Sequence, residues 1–115
     1  MLTIRSEQMQ ALAAQQRLAM ALRHVRQFFP SECAKLPPES LENTVRRAMA
    51  RATHYGFTSL RDSLQFVDLA ILFGPDFDQN FPWARDILDN DSGERACFRS
   101  ARLYRRAQQH LRMNP

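Results

Sequence analysis

The chain has 115 residues, a net charge of +4 and three glycines. That is room for one domain with one core, and so few glycines argue against phosphate-cradling loops and against a turn-rich β fold. The two cysteines, Cys33 and Cys97, stand at no metal or redox spacing and make no disulfide framework, which points to a reducing cytoplasm. The polar opening MLTIRSEQMQ has no apolar segment behind it to act as a secretory signal. No apolar run approaches the roughly 18 residues that a membrane span requires.

Residues 5 to 29 read as a first helix, longer than the common length of about 11 residues. Leu18, Leu22, Val25 and Phe29 make its apolar stripe, with Ala11 and Gln15 continuing it backward. The front half, rich in Ala and Gln, is strongly helix-forming but offers only a weak apolar face, so one end is expected to project or to meet a second protein. Pro30 ends the helix. In the connection PSECAKLPP, residues 31–34 fit a single turn and Leu36 anchors the loop.

Pro38 opens a second helix, residues 38 to 55, with Leu41, Val45, Ala48, Ala52 and Tyr55 on one face and Gly56 as its stop. Thr58 is the expected N-cap of a third helix. Its segment LRDSLQFVDLAILFG, residues 60–74, carries Leu60, Leu64, Val67 and Ile71 on one face, and its last two turns are apolar nearly all round. Such a helix must be covered on several sides. The fold expected is therefore an all-α, single-domain bundle of four to five helices around residues 60–73.

Gly74-Pro75 stops the third helix, and the polar stretch that follows reads as a loop. Pro82 begins a short helix with Trp83, Ile87 and Leu88. Asn90-Asp91-Ser92-Gly93 reads as a turn, with Asp91 or Ser92 capping a last helix, residues 93 to 112, before a fraying tail from Met113. The buried side assigned to that helix is Ala96 or Cys97, Ala101, Tyr104, Gln108 and Leu111.

Candidate chemistry is sparse. Arg95, Arg99, Arg102 and Arg106 fall at i, i+4, i+7 and i+11, one basic face on the last helix, flanked by Arg105 and Arg112. Such a face suits phosphate or an acidic protein. It also suits a solvated face partly paired with the acids just upstream, Asp76, Asp78, Asp86, Asp89, Asp91 and Glu94. No aromatic is interleaved along the stripe to stack bases, which disfavours nucleic acid. Asp76-x-Asp78-x-Asn80 begins like a calcium loop, but Phe81 stands where glycine is required and Ile87 where glutamate is. His24, His54 and His110 lie on separate helices with no cysteine at ligand spacing, so no metal, cofactor or catalytic residues are assigned. Asp68, in an otherwise apolar helix, demands a partner: an arginine, a backbone donor or another protein. Phe77, Phe81 and Trp83 either close the core as a lid or present an aromatic anchor.

Several of these stretches resemble one family: Leu2-Thr3-Ile4-Arg5-x-Glu7-Gln8-Met9, Tyr55-Gly56-Phe57-Thr58-Ser59, Phe66-Val67-Asp68-Leu69, Gly74-Pro75-Asp76-Phe77-Asp78, and Pro82-Trp83-Ala84 with Ile87-Leu88. The family is one of small bacterial proteins encoded beside effectors, PAAR tip proteins and adaptor chaperones of type VI secretion systems, and the likeness covers residues 2 to 88. It implies a non-enzymatic, cytoplasmic co-chaperone that binds an adaptor chaperone or a toxin effector during loading. Met9, Leu12 and Trp83, with Arg95, Arg99, Arg102 and Arg106, are the candidate contact residues. Self-association is left open. A toxin-neutralising immunity protein and a small basic nucleic-acid-binding regulator are the alternative functions.

Overall fold

The computed structural model describes residues 2–89 and 94–113, with the side chains of residues 7–89 and 94–113. The described residues are helical with no strand. The order is α1 (Leu2–Phe28), α2 (Pro30–Ala34), α3 (Pro38–His54), α4 (Leu60–Phe73), α5 (Phe77–Asn80), α6 (Pro82–Asp89) and α7 (Ala96–Met113). The five longer helices are those the sequence predicts. The two additions, α2 and α5, have five and four residues. One is the turn expected after Pro30, and the other replaces the expected loop after Gly74. The predicted turn at residues 90–93 and the end of the tail lie outside the described residues.

The all-α bundle is organised around α4. Helices α1, α2, α3, α5 and α7 all pack against it, and α6 closes the far side through α5 and α7. The molecule measures 54 × 38 × 19 Å, and the smallest dimension is about two helix diameters, one layer on another. Ser63, Phe66, Val67 and Ala70, spaced i, i+3, i+4 and i+7, form the deepest face of α4, with Leu69 beside them. The expected stripe of Leu60, Leu64, Val67 and Ile71 is buried only in part. The aromatic core runs through Phe57, Phe66 and Phe77, with Phe66 and Phe77 ring centroids 4.9 Å apart.

Proline and glycine set the ends. Pro30, Pro38 and Pro82 each take the first position of a helix, where a missing N–H costs nothing. Gly74 stops α4 at φ 103°, ψ 158°, a conformation open essentially to glycine alone. The α4 N-cap is Ser59 rather than Thr58: its Oγ accepts the Asp62 N–H at 3.1 Å, while Thr58 is exposed.

Helix α7 sits about a quarter turn from its expected rotation. Ser100, Leu103 and Ala107 face the core, and Ala101, Gln108 and Leu111 face water. Its two sides carry similar apolar weight, so its own pattern sets no unique seat. The choice is made at α4, where Ser100 Oγ donates to Gln65 Oε1, and against α6, whose Trp83 and Ile87 line the seam with α7.

Candidate protein-interaction surface

The polar groups that look chemical in the sequence are mostly consumed inside the fold. Asp78 is 1% exposed. Its carboxylate accepts from Arg51 Nη1 at 3.1 Å and from the Tyr55 hydroxyl at 2.7 Å. Arg51 Nη1 also donates to Asp76 at 2.9 Å, and Arg47 lies 3.8 Å from the same carboxylate. The bond to Asp76, ahead of the charges around it, raises the Arg51 pKa. Burial, then the bond to Asp78, pushes the Tyr55 hydroxyl up to about 12. A buried carboxylate with both oxygens engaged by fixed donors is a structural clamp. It fastens α5 to the end of α3. The expected pairing of Asp76 and Asp78 with the α7 arginines does not form, because Arg47 and Arg51 reach those acids first.

Asp68 meets a histidine instead of an arginine: His24 Nε2 lies 2.8 Å from Asp68 Oδ1 and ties α1 to α4. Burial raises the Asp68 pKa, and the neighbouring imidazole works against that rise. Cys33 is buried, Cys97 is exposed, and both are free thiols. Among the described residues no group of His, Cys, Asp and Glu could hold a metal ion. Among the described residues no helix is long and apolar enough to cross a membrane.

The arginine stripe separates into unlike parts. Arg99 turns inward, and this corrects its placement on a solvent-facing contact surface. Its guanidinium donates to the Tyr55 carbonyl at 3.0 Å and to the Leu88 carbonyl at 2.8 Å, and lies over the Phe57 ring, 5.5 Å from the centroid. It thereby closes the ends of α3 and α6, whose last carbonyls need donors. Arg102 is exposed and pairs with Glu94 at 2.6 Å, and Arg106 bonds to Gln109 at 3.5 Å. Arg102, Arg105 and Arg106 border an open groove of about 510 Å³ between α6 and α7. Arg95 is exposed ahead of the helix.

Trp83 is 8% exposed, which corrects its reading as an aromatic anchor. The indole is enclosed by Phe73, Phe81 and His110, with ring centroids 5.6 to 5.7 Å away. Among the described residues its buried N–H meets no acceptor.

Helix α1 presents the least covered surface. From Ala21 onward its inner face is buried through Ala21 and Val25. Residues 7 to 16 are exposed all round. Met9 is 70% exposed and Leu12 55%, and they continue through Gln16 to the exposed Met20. These four residues, at i, i+3, i+7 and i+11, lie about half a turn from the Ala14, Leu18, Ala21 and Val25 side. Sequence periodicity marked the inner stripe because it is stronger. The outer one, broken by Gln16, becomes visible once the helix is known to stand clear. Three large apolar side chains thus lie along one exposed helix face, the arrangement that a docking helix presents to a groove. No family model, curated protein or solved structure matches this chain.

Proposed function

We propose that this chain is a non-enzymatic interaction protein of co-chaperone type, binding an adaptor chaperone, a toxin effector or both in the cytoplasm of the producing bacterium, and assisting the loading of a type VI secretion system. The observation that carries the reading is the uncovered first half of α1, with Met9, Leu12 and Met20 along its outer side. The resemblance of residues 2 to 88 to proteins encoded beside effectors and adaptor chaperones supplies the partner class. The engagement of the buried acids by Arg51, Tyr55 and His24 fits a scaffold whose polar interior is spent on holding its own helices.

Affinity purification from cells carrying the neighbouring genes tests it. The effector or its adaptor chaperone should be recovered with the native chain and lost with Met9→Asp combined with Leu12→Asp. Those substitutions fall on exposed positions and should shift stability by no more than about 0.5 kcal/mol each. Recovery of neither partner would overturn the reading. Protection of a toxin-expressing cell by this chain alone would replace it with immunity. Retention on DNA that falls steeply with salt would replace it with nucleic-acid binding through Arg95, Arg102, Arg105 and Arg106.

A further inference from the structure

We propose that the valley between the first half of α1 and α3 receives a single amphipathic helix of a partner protein, with an acidic edge. The inference rests on reading α1 as a docking element, but it uses the side of α1 opposite Met9 and Leu12. The valley holds about 520 Å³. Its floor is Ala14 and Leu18 from α1 and Met49 and Ala50 from α3, and its polar edge carries Arg17 and Arg46.

Three properties select the occupant. Alanines at 14 and 50 keep the floor low, so the backbone of an incoming helix can approach closely, and Met49 can repack around what arrives. The α1 wall from Gln10 to Leu18 and the α3 wall from Arg46 to Thr53 each run about 11–12 Å, two helical turns. That length matches apolar side chains at i, i+4 and i+7 of a docked helix. The charge is one-sided: Arg17 and Arg46 both line the valley, and no carboxylate lines it among the described residues. Among the described residues Arg46 is held by an exposed pair with Glu42 at 3.4 Å and by no other, so it can turn to an incoming carboxylate at little cost. A basic helix would meet like charge, and an extended segment would find helix walls rather than an open strand edge to pair with.

The test titrates the full chain with two helix-forming peptides of about 16 residues, long enough for a helix to persist in water. Both carry leucine at i, i+4, i+7 and i+11. One is flanked by glutamates and the other by lysines. Amide resonances of the protein report the site. The glutamate peptide should bind about tenfold tighter at low salt, a preference that shrinks as salt rises. Its shifts should centre on Ala14, Leu18, Met49 and Ala50. Ala50→Glu, a substitution at an exposed position, should weaken binding about tenfold while leaving the melting curve unchanged. Equal binding of the two peptides, shifts centred elsewhere, or a dimer of this chain that masks those same amides would each overturn the proposal. Failure of both peptides while effector or chaperone is still recovered would overturn it and leave the proposed function standing. Peptide binding with no effector or chaperone recovered would do the reverse.

Discussion

The two halves of α1 are one continuous helix with opposite fates. The second half carries Leu18, Ala21, Leu22 and Val25 against α3 and α4, and Val25 and Ala21 are wholly buried. The first half carries alanine and glutamine at the equivalent positions and runs free over residues 7 to 16. A helix of 27 residues is about 40 Å long, while α3 and α4, at 17 and 14 residues, offer roughly 21 to 26 Å of surface to lie on. The overhang follows from that mismatch. Helical propensity continues the helix past the core that covers its other half, so stability and contact are assigned to different ends of one element.

The sharpest way to break the contrast is to place the same charge in each half. Val25→Asp buries a carboxylate with no partner and should cost about 3–5 kcal/mol, enough to abolish the cooperative thermal transition. Leu12→Asp should leave the melting temperature where it is. If the two variants melt alike, α1 is not divided as described.

The next effect tests whether the rigid side of the molecule depends on its acid clamp. Asp78→Ala leaves Arg51 and the Tyr55 hydroxyl without their shared acceptor and should cost about 2–3 kcal/mol, read as a lower denaturation midpoint in urea. Amides of residues 7 to 16 should exchange with solvent as in the native chain, because that segment does not rest on the clamp.

The smallest effect concerns pH. Tyr55 has its folded pKa raised to about 12 from an ordinary 10, so the folded chain holds a proton that the unfolded chain releases between those values. The stability due to Tyr55 is complete below pH 10 and is lost as pH rises through 12. The loss should be about 1–2 kcal/mol after allowance for partial exposure. Ultraviolet titration should find one tyrosine ionising near 12, and Tyr55→Phe should remove both that step and the alkaline slope.

Legibility in the sequence tracks the strength of each local signal. Prolines at helix starts, glycines at helix ends and the nearly all-apolar third helix are strong signals, and the five longer helices and the central place of α4 follow from them. The single turn α5 was missed because Phe77-Asp78-Gln79-Asn80 has no helical pattern of its own. It is held through Asp78 by Arg51 of α3 and by Tyr55 just past the end of that helix, more than 20 residues earlier. The α7 seat is not legible in the sequence because Leu103 with Ala107 and Tyr104 with Leu111 are nearly balanced stripes. The expected seat puts the arginines on the outside as one set, whereas Arg99 lies within and Arg102 and Arg106 edge a groove.

Taken alone, the sequence determined where the five longer helices lie and which helix the others surround, because propensity, capping and periodicity are local properties written within a few residues of where they act. The tertiary structure decided which arginine closes the fold, which acids are hidden, and how far along α1 the bare stretch runs, because each depends on which distant side chain arrives first and on how far the core extends.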